Sequence, residues 1–130
     1  MNDINYLAVA VAAVAAFILS AAWYAVFGKQ LAGLDDAYAA AGSMPAWKVL
    51  VELVRSLVVA LVLGWLAVGI DITDWAGAVG LGLAAWIAFP VVLLTGSVIH
   101  ENVPWKLAAI HAGDWLVKLI VVAVIVSLWR

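Results

Sequence analysis

Four long apolar stretches, separated by short polar segments, dominate the chain. They run from about Ile4 to Phe27, Trp47 to Val68, Trp75 to Ile99 and Trp105 to Trp129. Each is close to the roughly 20 residues that a helix needs to cross the hydrocarbon core of a bilayer. Because lipid offers the backbone no hydrogen bonds, and a spanning strand would need only about half this length, these stretches must be helices. The pattern predicts an all-α membrane protein: a single domain over residues 1–130, folded as a bundle of four transmembrane helices.

The two short connections carry signals of helix ends. Residues 69–74 form a polar segment that closes with Asp74, whose side chain is suited to accept from the first N–H groups of the third helix. Residues 100–104 close with Pro104, which is tolerated in the first turn of a helix because that position needs no N–H. Both segments predict tight turns between neighbouring helices.

The long connection, residues 28–46, has helix signals of its own. Asp35 and Asp36 are suited to cap a helix, while Gly42 and then Pro45 are suited to end one. We therefore expect a short interfacial helix over 37–41, lying at the membrane surface between the first and second transmembrane helices.

The aromatic residues support this division of the chain. We name the membrane face that holds the N-terminus side A and the opposite face side B. Four crossings place Tyr6, Trp65, Trp75 and Trp129 near side A, and Trp23, Tyr24, Trp47 and Trp105 near side B. Two such belts are typical of amphipathic rings at the two boundaries between lipid and water. Only Trp86 and Trp115 fall well inside the predicted spans.

Composition agrees with a lipid-facing surface. Hydrophobic residues make up 69% of the chain and charged residues 11%, whereas a soluble domain carries about 25% charged residues. The net charge is −2 and the six Lys and Arg residues form no cluster, which argues against nucleic acid as a partner. The absence of cysteine excludes disulfides, thiolate zinc sites and thiol catalysis. The N-terminus lacks the basic residues of a cleavable signal, so we expect the first helix to be retained.

The distribution of basic residues predicts the orientation. Lys29, Lys48 and Lys106 lie at helix ends on side B, whereas Arg130 is the only such residue on side A. Since Lys and Arg accumulate on the cytoplasmic side, side B is predicted to be cytoplasmic and both termini periplasmic.

Small residues predict where helices pack. Stripes recur every three or four positions at Ala8, Ala12 and Ala15 in the first helix and at Gly80, Ala84 and Ala88 in the third. Such stripes let helix backbones approach closely in lipid, although alanine is also simply a good helix former.

Ionisable residues inside the second and fourth spans are the main functional signal. Glu52 and Arg55 share one face of the second helix, and His111, Asp114 and Lys118 share one face of the fourth. Both helices start on side B, so at 1.5 Å per residue Glu52 comes level with His111, and Arg55 with Asp114. The four charges sum to zero, which is the least costly arrangement for buried charges in lipid.

Further polar groups predict a pocket around this cluster. Pro90 in the third helix lacks an N–H and so frees the carbonyl of Trp86, which lies near the depth of Lys118 and is suited to accept from it. Tyr24 and Ser56 supply hydroxyl groups at the rim. Together these residues predict a polar pocket that opens toward side B.

Several functions are compatible with the cluster. The charges can serve only to fix which helices pack together. Alternatively, His111 beside carboxylates can change its protonation near neutral pH, which would suit a pathway for a proton or a small solute. The chain also offers a few ligands for a metal, either His111, Asp114 and Glu52 or His100 and Glu101.

Catalysis has little support. The serines in the spans lack a neighbouring base, apart from Ser56 near Glu52, and the chain has neither a glycine-rich phosphate loop nor an HExxH motif. We therefore expect neither an enzyme nor a bound cofactor.

Three segments resemble a known family. Residues 23–29, WYAVFGK, resemble the WYxxxFGK ending of the first helix in the DUF1761 family of bacterial membrane proteins, with one residue fewer between the tyrosine and the phenylalanine. Residues 80–89 end in WIAF and resemble that family's third-helix G…WxGF pattern, with Ala88 where glycine is usual. Residues 110–116, IHAGDWL, are similar to the start of its last helix, although Asp114 and Lys118 depart from the pattern.

The resemblance implies a four-helix protein of the bacterial inner membrane and assigns no activity. Small four-helix drug exporters carry an essential carboxylate in their first helix, and the first stretch here has no charge. We expect a homo-oligomer in contact with membrane lipid. It is either a proton-linked transporter or channel for a small solute, or a non-catalytic scaffold or accessory subunit that binds lipid or another membrane protein. A water-filled cavity that reaches the cluster favours transport, whereas a dry and fully paired cluster favours the scaffold.

Overall fold

The computed structural model describes residues 4–34 and 45–129. Its helices are α1 (Tyr6–Val26), α2 (Gly28–Leu34), α3 (Ala46–Gly69), α4 (Trp75–Trp86), a π-helical turn (Ile87–Val91), α5 (Val92–His100) and α6 (Trp105–Leu128). The π turn joins α4 and α5 into one continuous third span, Trp75–His100. Four helices, namely α1, α3, the third span and α6, are long and apolar enough to cross a membrane, which confirms the predicted fold class. The chain is a multi-pass membrane protein.

A short helix is present between the first two spans, as predicted, and the structure describes it at Gly28–Leu34. The expected helix at 37–41 lies outside the described residues, whereas α2 follows α1 almost directly after a break at Phe27. Leu31 of α2 is buried against Leu107 and Ile110 at the start of α6. The short helix thus covers the ends of α1 and α6 on side B.

Side chains cap the starts of two spans. The Asn5 carboxamide accepts hydrogen bonds from the N–H groups of Leu7 and Ala8, at 3.0 and 3.2 Å. The Asp74 carboxylate accepts one from the N–H of Gly77 at 2.8 Å, which confirms its predicted role as a cap.

The turn after α3 reverses the chain within a few residues. The N–H of Ile72 donates to the carbonyl of Ala67 at 2.9 Å, and that of Asp71 donates to Val68 at 3.1 Å. This is the Schellman pattern, which requires a left-handed residue after the helix cap. Asp71 fills that position with φ of 56°, and Asn102 has φ of 55° after α5. Asp and Asn adopt this conformation more readily than most residues other than glycine.

The last transmembrane helix is the centre of the molecule. α6 packs against α1, α3 and the third span, and α1 also packs against α3. The main apolar core joins α1, α3 and α6 through Val9, Ala12, Ala13, Ala16, Ala60, Leu63, Leu119, Val122 and Val126. The third span packs mainly on α6 and therefore leaves much of its own surface toward lipid.

Only one of the two predicted small-residue stripes lies in a packed interface. Ala8 and Ala12 of α1 are fully buried, as expected. The predicted stripe of the third span is wrong, because Gly80, Ala84 and Ala88 are exposed in the described chain. The packed face of that span instead contains Gly82.

Gly82 allows the closest approach between the third span and α6. A Cβ added there would lie 2.9 Å from the Cα of Ile120 and 3.0 Å from the carbonyl oxygen of Leu119. Because both are backbone atoms, only glycine permits this contact. Ala78, one turn earlier on the same face, is fully buried.

The third span accommodates its proline through the π turn. Pro90 lies inside the turn and is buried. A π turn widens the hydrogen-bond ladder by one residue, which suits a position that lacks an N–H. The break therefore leaves the span continuous.

The aromatic belts occur at both ends of the bundle, with two exceptions. Tyr6, Trp65, Trp75 and Trp129 on side A are exposed, as are Trp47 and Trp105 on side B. Trp23 and Tyr24 were also expected in the side B belt. Both are partly buried instead, because their polar atoms bind residues of α6.

A candidate functional site around Asp114

Asp114 lies at the centre of a buried polar network on α6. It is 2% exposed, and three side chains bind its two carboxylate oxygens. The Ser20 hydroxyl donates to Oδ1 at 2.7 Å, and the Lys118 ammonium lies 2.9 Å from Oδ2. The Tyr24 hydroxyl makes a longer bond to Oδ2 at 3.4 Å. Since a lone charge in a membrane interior is costly, this full set of partners is what keeps the carboxylate stable there.

Tyr24 connects Asp114 to His111. Its hydroxyl oxygen lies 2.6 Å from Nδ1 of His111, and the two rings are tilted with centroids 5.6 Å apart. The hydroxyl has a single proton. It either donates that proton to Asp114 while accepting from a protonated Nδ1, or donates to an unprotonated Nδ1. The predicted grouping of His111, Asp114 and Lys118 on one face of α6 is therefore present, with Tyr24 among them.

Two tryptophans bind backbone carbonyls beside the network. The Trp23 indole N–H of α1 donates to the carbonyl of Ile110 at 2.9 Å. The Trp86 indole N–H of the third span donates to the carbonyl of Ala112 at 2.8 Å. Trp86 therefore enters the site through its indole, whereas the sequence had suggested its carbonyl. Residues 110–114 of α6 thus hold α1 on one side and the third span on the other.

Gly113 provides the space for Trp23. A Cβ at this position would lie 2.4 Å from Cζ2 of the Trp23 ring. The ring also packs on Phe27, with centroids 4.9 Å apart. The glycine in the segment 110–116 therefore has a packing reason: it lets α1 bring its indole to the Ile110 carbonyl.

Lys118 lies at the edge of the network toward α3. Its ammonium is 3.8 Å from the centroid of the Trp115 ring, within the range of a cation–π contact. The side chain is 11% exposed. It lines a narrow cleft between α3 and α6 together with Glu52, Arg55 and Ser56. The space inside is about 10 Å³, near the lower limit for one water molecule.

Glu52 and Arg55 do not join the Asp114 network. The Arg55 guanidinium donates to the Glu52 carboxylate at 2.6 Å, within α3. The side chains are 57% and 36% exposed for Arg55 and Glu52 respectively. Arg55 and Asp114 were predicted at the same depth but make no contact, because the Arg55 guanidinium binds Glu52 of its own helix and Asp114 binds Lys118. Ser56 lines the cleft and is not part of the Asp114 network.

The structure adds two residues that the sequence interpretation did not place in the site. Ser20 supplies a donor to Asp114, and Trp23 holds the neighbouring backbone. A signal was present, since Ser20 and Tyr24 are one turn apart on an otherwise apolar helix and so share one face. Trp23 was assigned to the interface because it lies near a helix end.

A metal site finds no ligand set in the described part of the chain. No three His, Asp or Glu side chains there come together as metal ligands. The Glu52 carboxylate binds Arg55 of its own helix.

The comparisons with known proteins bear on the fold and leave the activity open. No curated protein matches this chain, and no solved structure matches it. The model of one family, described as "Protein of unknown function (DUF1761)", matches residues 7–127. This range includes the Asp114 network and all four spans except for Tyr6 and Leu128 at their outer ends. The chain therefore belongs to the DUF1761 family.

Proposed function

We propose that this protein is a non-catalytic membrane scaffold or accessory subunit, in which the Asp114 network holds the spans together. The observation that carries the proposal is the state of Asp114, which is 2% exposed with partners on both oxygens. The adjacent cleft encloses only about 10 Å³. A site that moved solutes in this conformation would need an aqueous approach to Asp114, and the adjacent cleft has space for about one water molecule at most.

The contacts around residues 110–114 support a structural role. Ser20, Trp23 and Tyr24 reach this segment from α1, and Trp86 reaches it from the third span. Polar contacts of this kind between membrane helices contribute about 1 kcal/mol each. Their convergence on one and a half turns of α6 fixes the register of the spans, which is what a scaffold requires.

The paired charges give the proposal a direct test. Asp114→Leu leaves the Lys118 ammonium buried without its partner, a change that typically costs about 3–5 kcal/mol. The double change Asp114→Leu with Lys118→Met removes both charges and is expected to recover most of that loss. The measurement is the free energy of unfolding in detergent. The matched control is Arg55→Leu with Glu52→Leu, which removes an exposed pair and is expected to change the monomer little.

A transport measurement completes the test. Purified protein in liposomes with an internal pH-sensitive dye is expected to pass protons no faster than empty liposomes. A wild-type flux that Asp114→Asn abolishes, without loss of the fold, would contradict the scaffold proposal.

Proton-linked transport is the second candidate, and one observation favours it. The Tyr24 hydroxyl lies 2.6 Å from Nδ1 of His111 and 3.4 Å from Oδ2 of Asp114, and that oxygen is 2.9 Å from the Lys118 ammonium. These groups form a continuous line of side chains that can exchange protons with one another. Lys118, at one end of the line, also lines the cleft toward α3. Such lines of ionisable groups are typical of proton relays in membrane proteins. The flux measurement with Tyr24→Phe, which removes the central hydroxyl, tests this candidate directly.

We also propose that the protein lies in the cytoplasmic membrane with side B facing the cytoplasm. The basic residues Lys29, Lys48 and Lys106 on side B support a cytoplasmic side B and periplasmic termini. In a bacterial cell this corresponds to a protein of the cytoplasmic membrane.

A further inference from the structure

The ion pair on α3 lies within the membrane span, at the rim of the cleft between α3 and α6, and remains largely exposed. Arg55 is nine residues after Ala46, so it lies roughly 14 Å from the start of a helix that spans a core of about 30 Å. Its guanidinium binds Glu52 at 2.6 Å. Glu52 is one turn nearer to side B, roughly 9 Å from the start of the helix, so the guanidinium is still within the span. Charged side chains at this depth almost always face protein or a water-filled cavity. In the monomer, the Arg55 side chain is 57% exposed.

The surface around the pair has the spacing of a helix–helix interface. The positions 48, 51, 55, 58, 62 and 65 alternate in steps of three and four residues, and all six are exposed. This is the heptad pattern of two helices that pack side by side along their length. Three of the positions, Val51, Val58 and Val62, carry β-branched side chains, which lose little rotamer freedom when they are packed. The seam has two charged positions: Lys48 at its side B end, and Arg55 within the span, where a polar residue can fix the register of paired helices.

We infer that this face of α3 binds a second copy of the chain, with the Glu52–Arg55 pairs of the two copies meeting at the contact. Two copies related by a twofold axis along the membrane normal present the same residues at the same depth. Each Arg55 guanidinium then lies between its own Glu52 and the Glu52 of the second copy. The four charges alternate in sign and sum to zero, which is the arrangement that a lipid environment favours.

A second copy fits the surface better than a lipid headgroup does. A headgroup phosphate lies at the membrane surface, whereas the guanidinium is bound at the level of Glu52, roughly 9 Å inside by the helix rise. It would also meet the Glu52 carboxylate, which repels it. The surface carries one acid and one base a single turn apart, and is thus complementary to itself. The inference is independent of the proposed scaffold role, because it uses none of the contacts of Asp114.

The absence of cysteine from the chain permits a clean crosslinking experiment. Val58→Cys lies on the proposed seam, and Leu57→Cys is its matched control on another side of the same helix. The native side chains are similarly exposed, at 55% for Val58 and 44% for Leu57. In native membranes with a mild oxidant, Val58→Cys is expected to give a disulfide-linked dimer at least ten times more abundant than that from Leu57→Cys. Equal crosslinking at the two positions would overturn the inference.

Charge exchange between copies separates the contact between chains from the ion pair within one chain. Arg55→Glu makes the pair doubly negative, and Glu52→Arg makes it doubly positive. Each change, added to Val58→Cys, is expected to reduce the dimer at least tenfold when expressed alone. When the two chains are co-expressed with tags of different size, the mixed dimer is expected to return to within twofold of the wild-type yield. A role of the ion pair only within its own helix predicts no recovery on mixing.

Two further measurements fix the outcome. The thermal transition of each variant in detergent shows whether it remains folded. The mass of the wild-type protein in nanodiscs is expected to correspond to two chains. A monomer in nanodiscs, or a mixed dimer no more abundant than the single-variant dimers, would overturn the inference.

Discussion

At the scale of single residues, two buried serines differ in what their hydroxyl groups do. The Ser20 hydroxyl donates to Oδ1 of Asp114 at 2.7 Å. The Ser127 hydroxyl is buried near the end of α6, and it has no hydrogen-bond partner among the described residues. The Ser20 hydroxyl therefore stabilises a buried charge. The Ser127 hydroxyl has lost its hydration on burial and gains no hydrogen bond in return.

Substitution by alanine is expected to separate the two serines. Ser20→Ala leaves a carboxylate oxygen short of a donor and is expected to lower the free energy of unfolding by about 1–3 kcal/mol. Ser127→Ala removes an unbonded hydroxyl and is expected to leave that free energy unchanged or to raise it slightly. Unfolding of both variants in mixed detergent micelles provides the comparison. An equal loss in both would mean that the contact between Ser20 and Asp114 contributes no stability.

The extent to which the site was predictable also becomes clear at this scale. The spacing of His111, Asp114 and Lys118 placed them on one face of a span, because helical periodicity is independent of the other helices. The partners of Asp114 on α1 were not predictable in this way, since they depend on how α1 is rotated about its axis. For the same reason, depth alone placed Arg55 level with Asp114 but could not show that Arg55 binds Glu52 of its own helix.

At the scale of elements, the third span shows which features of packing the sequence reveals. Its length and its cap at Asp74 followed from local signals and are confirmed. Its packed face did not, because Gly80 and Gly82 both belong to plausible small-residue stripes. In a soluble protein, polar residues would mark the outer face. Lipid is as apolar as the core, so that contrast is missing here.

The two glycines make this difference testable. Gly82→Ala places a methyl group 2.9 Å from backbone of α6, so the two helices must separate. We expect a loss of stability of about 1–3 kcal/mol, as for other insertions into packed interfaces. Gly80→Ala is the matched control, since a Cβ there meets nothing within 4 Å. It is expected to be neutral or to stabilise the helix by up to about 1 kcal/mol. Thermal unfolding in detergent measures both. If Gly80→Ala were the less stable variant, the packed face would be the one predicted from the sequence.

At the scale of the whole molecule, the orientation in the membrane is open to direct measurement. If the lysines of side B are cytoplasmic, a reporter fused after Arg130 is expected to be active as a periplasmic enzyme. The same reporter inserted at Gly33 is expected to be inactive. Gly33 follows the first span and therefore lies on side B, opposite the side that holds both termini. A cytoplasmic reporter at both sites serves as the control and is expected to give the opposite pattern. A periplasmic reporter active only at Gly33 would reverse the orientation and leave the four spans as they are.

The central position of α6 also has a consequence for biosynthesis. A ribosome delivers α1, α3 and the third span to the membrane before α6. α1 and α3 can pack against each other at that stage, whereas the third span packs mainly on a helix that has not yet been made. The indole N–H groups of Trp23 and Trp86 also lack their partners at that stage, because both donate to carbonyls of α6. The native arrangement therefore forms only after the last of these helices has been inserted, and a nascent chain that stalls before Trp105 presents the membrane proteases with an unassembled third span.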